Sequence, residues 1–371
     1  MNSMPAPSAL CGVAALQAYV GQRGPAFIGP DAVNAPMIRH WCAAIGDRNP
    51  VYTDAKLAAG SIWQGVIAPP AMLQVWVMPG FGVAPPADDP VGEFHALAQA
   101  QGYTSIVATN CEQEYLRPLR PGDRVQVSKQ IESVSGEKKT ALGIGIFLTT
   151  RFAFSDQDGA PVASMLHRVL RFKPPGVAVA AAAPVASTAV AASEPGTDLP
   201  VVMRGSERAI GFPGAGPLEL PPTLRCAQVQ PGARLAALQV PMTRSAIVAG
   251  AMATRDYQDV HHDPELARQR GSLDIFLNIL STTGLVGRFV TDVFGPDAGL
   301  LKLAIRLGAT AYPGDTLVIA GSVVRKSESA AGCEIVVSVR GTVSRGDHVT
   351  GEVTLTLPAA RRPRARGAEQ E

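Results

Sequence analysis

The sequence predicts an α+β protein in which one design occurs twice. Three observations carry that prediction. A polar stretch in the first half recurs without a gap in the second, and a Pro-Gly-Asp turn recurs downstream of it. Each half then runs from a helix or two into a meander of strand-like segments. The chain has 371 residues, which at roughly 100–200 residues per domain suits two domains.

The repeat is read position by position. "GDRNPVYTDAKLA" (Gly46 to Ala58) lies over "RDYQDVHHDPELA" (Arg255 to Ala267). Asp47 falls on Asp256, Val51 on Val260, Asp54 on Asp263, Leu57 on Leu266 and Ala58 on Ala267. Downstream, "YLRPLRPGDRV" (Tyr115 to Val125) falls on "LGATAYPGDTL" (Leu307 to Leu317). A lone Pro-Gly-Asp turn is commonplace, so the weight rests on two landmarks in one order. One difference matters for chemistry: Tyr52 stands where the second copy has His261.

The elements follow in order. In "APMIRHWCAAIGD", Ile38, Trp41, Cys42 and Ile45 recur at helical spacing. Pro70 to Val77 predicts a second helix opened by proline. Arg124 to Ser133, Ala141 to Ser155 and Pro161 to Phe172 predict strands. In the second half "DIFLNILSTTGLVGRFVTDV", starting at Asp274, predicts one long, mostly apolar helix. "LVIAGSVV", "CEIVVSVRGTVS" and "HVTGEVTLTLP" predict strands. Residues 31–173 and 232–358 are the expected domains. The Ala/Pro/Gly-rich stretch 174–231 between them has too few large apolar groups to repay its ordering and is expected to be a linker. Within it "GFPGAGPLEL" has no strand before it and is broken by prolines, so it is no phosphate loop.

Composition narrows the function classes. Charged residues are 17% and the formal net charge is +2, with no sustained basic stripe before the final "RRPRARGAEQE". That argues against a nucleic-acid partner. The five cysteines (Cys11, Cys42, Cys111, Cys226, Cys333) form no CxxC. Neither a metal site nor a disulfide framework is indicated, and they are expected as small buried hydrophobes in a reducing compartment. "MNSMPAPSALCG" lacks the positive region of a signal peptide. Val177 to Ala192 is shorter than the ~20 residues of a span and carries Pro184. The expectation is a cytoplasmic chain with no membrane partner.

Asp256 and His261 are five residues apart, which on a helix would place them on different faces. An irregular segment can instead bring both to one point. Asp263 is expected to cap the next helix with Pro264 in its first turn, and His262 to point away. An Asp and a His in one loop are, taken alone, more often structural than catalytic.

"GDRNPVYTDAKLA" followed by "GVIAPPAML" resembles the N-terminal dehydratase domain of the MaoC-like hydratases, which carry Gly-Asp-x-Asn-Pro-x-His ahead of the central helix. Asp47 matches that aspartate, and Tyr52 replaces the histidine, so the first copy is expected to be non-catalytic. "ATRDYQDVHHD", "DIFLNILSTTGLVGRFVTD" and "RLGATAYPGDTL" resemble, more closely, the catalytic subunit of the bacterial steroid side-chain enoyl-CoA hydratases of this family; the first half resembles its non-catalytic partner, here fused.

The resemblance implies a double hot dog: two antiparallel sheets, each wrapped round a central helix, paired side by side with the active site at their junction. It implies hydration of a bulky, steroid-derived enoyl-CoA by Asp256 and His261. A backbone N–H at Ile275, near the start of the central helix, is expected to hold the thioester oxygen, and Asn278 either orients a water or His261 or is a satisfied polar group of the core. Leu277, Ile279, Leu280, Leu285 and Val286 are expected in the core. Lys302 and Arg306 are candidates for CoA phosphates, though a charged strand edge is the commoner explanation. No cofactor is implied, since CoA belongs to the substrate. A homodimer is expected, and association with a steroid-pathway aldolase is an open partner, weakened by the lack of any CxxC for a zinc ribbon. Two other functions stay open: hydration of ordinary fatty enoyl-CoAs, or non-catalytic acyl-CoA binding as an aldolase scaffold.

Overall fold

The structure, a computed structural model, describes residues 12–83, 88–174, 198–199, 221–330 and 332–359. The first half contains α1 (Val13–Gln17), β1 (Phe27–Ile28), α2 (Ala35–Ile45), α3 (Pro50–Thr53), α4 (Ala55–Ala59), a 3-10 helix (Pro70–Val77), α5 (Pro90–Ala100), β2 (Ser105–Tyr115), β3 (Gln126–Val134), β4 (Lys138–Thr140), β5 (Gly143–Ser155) and β6 (Pro161–Lys173). The second contains β7 (Asp198–Leu199), a 3-10 turn (Cys226–Gln228), β8 (Arg234–Pro241), α6 (Arg244–Thr254), a 3-10 turn (Asp259–His261), α7 (Pro264–Gln269), α8 (Ile279–Phe294), β9 (Gly299–Leu307), β10 (Thr316–Ser329), β11 (Gly332–Val343) and β12 (Gly346–Pro358).

The strands among the described residues lie in one sheet, ordered β1-β3-β5-β6-β2-β9-β12-β11-β10-β8-β7, with β4 on β5. The halves meet edge to edge at β2 and β9. These run antiparallel, from Asn110 opposite Arg306 to Glu114 opposite Lys302. Pairing the two edges leaves neither as a template for another chain. Lys302 reaches across this seam to Glu112 and Glu114. That contact explains Lys302 as a strand-edge ion pair rather than a phosphate ligand.

The repeat is exact in local structure. α2 and α6 cover matched positions, and each ends on a left-handed residue, Gly46 (φ 70°) and Arg255 (φ 58°). Asp47 N–H donates to Cys42 O (2.9 Å), as Asp256 N–H donates to Ala251 O (3.0 Å). Ile67 N–H to Val51 O (3.3 Å) repeats as Phe276 N–H to Val260 O (3.1 Å). Asp54 and Asp263 cap α4 and α7 through their side chains, as expected of Asp263.

The copies then diverge. α8 has 16 residues, all of them buried but Arg288 and Asp292, which are half-buried. Its Gly284 lets the Trp41 ring approach so closely that an added Cβ would lie 2.8 Å from it. The matched segment of the first half is an eight-residue 3-10 helix, Pro70–Val77. Pro69 and Pro70 open it, and Pro79-Gly80 follows within two residues of its end. α5 covers the rest of that sheet, with Phe94 and Ala98 packed on Ile131, Ile146 and Val169.

Three sequence expectations need correction. The central helix of the second half starts at Ile279, not near Asp274, because residues 274–277 spend their backbone groups sideways. Phe276 N–H goes to Val260 O and Leu277 N–H to Ala311 O, while Asp274 is held by Arg244. The expected linker is narrower than 174–231: Leu199 pairs with β8, and Leu224 and Val229 are buried against the second half. Residues 175–197 and 200–220 lie outside the described set. Cys42 and Cys111 are buried free thiols as expected, but Cys226 and Cys333 form a disulfide, with Cα atoms 5.8 Å apart. A sequence separation of 107 hides such a pair from spacing rules.

Candidate active site

The site is built where α6 ends. Arg255 turns the chain left-handed, and its guanidinium is tied to Asp31 of the first half at 2.7 Å. The next residue, Asp256, enters the interior, and the short 3-10 turn returns His261 to the same point. Both are 5% exposed. His261 Nε2 lies 3.4 Å from Asp256 Oδ2. The irregular segment therefore brings the two together across five positions, which a helix would not do.

Each member is held from behind. His261 Nδ1 is 2.8 Å from Phe276 O. A carbonyl oxygen only accepts, so Nδ1 carries the hydrogen and Nε2 is the nitrogen that faces Asp256. The Phe276 ring meets the imidazole edge-on, with centroids 4.8 Å apart. Asn278 Nδ2 donates to Asp256 Oδ2 (3.1 Å) and to Thr254 Oγ1 (2.8 Å), while its Oδ1 accepts from Ser281 N–H (2.8 Å) as the N-cap of α8. Asn278 thus serves Asp256 and the helix, not His261. Gln258 Nε2 reaches Asp256 Oδ1 at 3.3 Å. His262 turns away to Tyr257 O (3.1 Å).

Ile275 does not fit the role expected of it. Its N–H is taken by Asp274 Oδ1 at 2.8 Å, and the residue precedes the helix. The amides with no intrahelical partner are those of the first turn of α8, where the first helical bond is Thr282 N–H to Asn278 O. Ile279 and Leu280 there line the same cleft as Asp256 and His261, as does Leu277. These three belong to the cleft wall as well as the core, whereas Leu285 and Val286 are core alone.

That cleft measures about 770 Å³ and runs between the halves. Its second-half wall includes His348, whose ring bonds Ala309 O (2.8 Å) and Thr282 Oγ1 (2.9 Å) and which burial holds below the usual histidine range. Its first-half wall is β2, β5, β6 and α5, together with Gln74 and Met78 at the shortened 3-10 helix. Arg306 and Arg168 both line it and stand either side of Asn110 in the sheet register. Sequence reasoning missed Thr254, Gln258, His348 and the whole first-half wall. Gln258 had a weak signal, because Asn49, its match in the repeat, lies between Asp47 and Tyr52.

In the first half the matched carboxyl is buried without a histidine. Burial lifts Asp47 to about 6, opposed by the Asn49 N–H and the Arg288 cation. Burial also lifts Asp292, beside Arg288, to about 7. Tyr52 is buried, and burial and then Asp47 push its phenol well above its ordinary range. Pro69 and Pro70 stand where the second half has Asn278 and Ile279, so neither backbone nitrogen has a hydrogen to offer.

The FAS1-like, dehydratase domain region family matches residues 24–165. A probable enoyl-CoA hydratase alpha subunit of Thermomonospora curvata is 47% identical over 43% of this chain and 51% of its own. The 3-oxo-4,17-pregnadiene-20-carboxyl-CoA hydratase alpha subunit of Mycobacterium tuberculosis is 45% identical over 45% of this chain and 55% of its own. The beta subunit of that hydratase is 47% identical over 30% of this chain and 83% of its own. The chain thus spans about half the length of the two alpha subunits it matches. Among solved structures, a MaoC-like dehydratase superposes with TM-score 0.64 at 20% identity, covering 93% of this chain and all of that one. A Mycobacterium tuberculosis protein described as a double hotdog fold superposes with TM-score 0.57 at 14% identity, covering 95% and 98%. These likenesses carry the fold expected from the sequence, and the match to most of the beta subunit carries the family: the chain belongs to the MaoC-like hydratases, with two hot-dog halves fused in one polypeptide.

Proposed function

We propose that the chain is an enoyl-CoA hydratase that adds water across the α,β double bond of a bulky, steroid side-chain-derived thioester. The observation that carries this reading is the 3.4 Å approach of His261 Nε2 to Asp256 Oδ2 at the wall of a cleft shared by both halves. With Nδ1 committed to Phe276 O, a neutral His261 presents a lone pair to a carboxylate. A water donating one hydrogen to each satisfies both acceptors and sits where a nucleophile is needed.

In hydration the water oxygen bonds Cβ of the enoyl group as one water proton passes to the Asp256–His261 pair. The pair returns a proton to Cα, so that water is added whole and the pair is regenerated. At 3.4 Å the two groups can share one water, and the acid and base roles belong to the pair. Negative charge that builds on the thioester oxygen is met by the first-turn amides of α8, Ile279 and Leu280, where free N–H groups and the helix dipole favour it. Losing one such donor typically costs ~3 kcal/mol of transition-state stabilisation.

Substrate size follows from the first half. Ligand clefts of roughly 300–1,000 Å³ take drug-sized molecules, and a cleft of about 770 Å³ exceeds what a short enoyl chain fills. Arg168 and Arg306 suit the CoA phosphates at its rim. Both the alpha and beta subunit relatives find their match here in one chain, so a homodimer of it would carry one complete site per chain. Mass spectrometry tests the reading: a tetracyclic enoyl-CoA should gain one water, and crotonyl-CoA should react more slowly per unit concentration. No gain of water with either would refute it, and equal rates would refute the assignment to bulky substrates.

A further inference from the structure

Two histidines on the first-half wall of the cleft have no role in the chemistry above. His95 sits on α5, and His167 sits on β6 opposite Cys111 of β2 and Thr150 of β5. Both line the cleft that holds Asp256 and His261. Neither imidazole is hydrogen-bonded by any described residue, and His95 Nδ1 and His167 Nε2 are sealed from water without a partner. Buried polar atoms left in that state are rare, and each calls for a physical reason. His95 Nε2 and His167 Nδ1 are the ring nitrogens left to meet whatever fills the cleft.

The surroundings define the chemistry that would satisfy them. Burial holds both rings down at about 4. They are therefore neutral near pH 7, and each offers one donor and one acceptor. The wall around them is mostly apolar, with Val91, Ile106, Ala108, Leu148, Phe152 and Val169, and Thr150 beside His167. The nearby Arg171 guanidinium is engaged with Gln99 at 2.9 Å and is not part of the wall. Arg168 and Arg306, the cations that line the same cleft, suit the CoA phosphates, so an anionic tail beside the two rings would be stripped of water against an apolar wall. A purely hydrocarbon tail would leave both rings as unsatisfied as they are without it.

We propose that His95 and His167 form a recognition site for one neutral oxygen, a ketone or a hydroxyl, carried on the apolar acyl tail away from the thioester. The proposal rests on the reading of this cleft as an acyl-CoA site and names what the far part of the acyl group must carry. A ketone accepts from one imidazole N–H, whereas a hydroxyl also donates to the other ring. A short enoyl chain carries no such oxygen and gains nothing from either ring.

Calorimetric binding of saturated, unreactive thioesters tests this without relying on turnover. The probes are a tetracyclic acyl-CoA with a ring ketone, its hydroxyl counterpart, its ring-methylene analogue, and butyryl-CoA. Wild-type protein should bind an oxygenated probe about 5- to 30-fold tighter than the methylene analogue, the range of one or two hydrogen bonds. His167→Leu and His95→Leu should each shrink that ratio and together erase it, with butyryl-CoA affinity unchanged. His167→Asn, which keeps a donor and an acceptor, should recover part of it. The proposal is overturned if wild-type protein binds oxygenated and methylene probes equally. It is equally overturned if the leucine variants weaken all probes alike. The wild-type comparison alone decides if a variant does not fold. A protein that discriminates the probes yet hydrates no enoyl-CoA would overturn the hydratase reading and leave this site standing.

Discussion

Asn278 has two jobs that substitution can separate. Its Oδ1 caps α8 through Ser281 N–H, and its Nδ2 holds Asp256 Oδ2. Serine keeps a side-chain acceptor for the cap but has no group that reaches as Nδ2 does. Alanine loses both. The donor to a carboxylate is worth roughly 1.5–3 kcal/mol, and the cap about 1 kcal/mol. Asn278→Ser and Asn278→Ala should therefore lose kcat/KM together, by about 10- to 100-fold. Their stabilities should differ by about 1 kcal/mol, alanine being the weaker. Urea unfolding and initial hydration rates on the same preparations measure the two effects. Wild-type kcat/KM in Asn278→Ser would show that the cap, not the Asp256 contact, is what activity needs, and the reasoning would fail.

Three further outcomes are expected. Asp256→Ala and His261→Ala should each abolish hydration while circular dichroism stays native, and His262→Ala, whose ring only meets Tyr257 O, should keep most of it; near-complete loss in His262→Ala would mean the wrong histidine was chosen. Asp47→Asn should leave activity intact but change the pH dependence of stability. The carboxyl ionises near 3.8 unfolded and about 6 folded, so the folded state binds the extra proton and wild-type stability falls as pH rises through that window. The asparagine variant should gain on wild type over the same window, by roughly 3 kcal/mol at most; urea titrations at about pH 4 and pH 7 that show no such divergence would contradict the buried, proton-binding carboxyl. Tyr52→His placed in the His261→Ala background should restore no hydration, because Pro70 leaves that half without the amide that matches Ile279 N–H; measurable turnover by mass spectrometry would show that histidine alone was missing.

Much of this was legible because the relevant signals are local. The helix over Ala35–Ile45 follows from Ile38, Trp41, Cys42 and Ile45 on one face, and the three long strands of each meander lie within a few residues of their alternating segments. The Asp256–His261 pair emerged from comparing two copies, which turns one substitution into information. The start of α8 was missed because Asp274 to Leu277 are apolar enough to continue the helix, while the bonds that prevent it come from Val260, Ala311 and Arg244, distant in sequence. β2 and β9, the seam itself, went unread although β9 alternates Leu301, Leu303, Ile305 and Leu307 with Lys302, Ala304 and Arg306, because nothing local says that two such edges pair with each other. The first-half wall of the cleft was invisible for a related reason: His95 and His167 acquire meaning only when α5 and β6 face one space.

The altered half is more than a copy that has lost one histidine. Where the second half has the His261 imidazole facing Asp256, it has a buried phenol whose ionisation burial suppresses. Where the second half has Asn278 and a free amide at Ile279, it has two prolines. Pro70 removes one of the two donors proposed for a thioester oxygen, the match of Ile279 N–H, whereas Ala71 keeps the match of Leu280 N–H; Pro79-Gly80 follows the end of the helix after eight residues. A shorter helix fills less of the space inside its sheet, and the cleft extends into that half. Asp47 persists because its setting is structural: its Oδ1 accepts Asn49 N–H, and Arg288 of α8, whose Nη1 bonds Ile45 O, supplies the opposing charge. Loss of a donor and gain of room thus have separate causes in the backbone, Pro70 at the start of the shortened helix and Pro79-Gly80 past its end, and a longer helix there would fill the space into which the cleft extends.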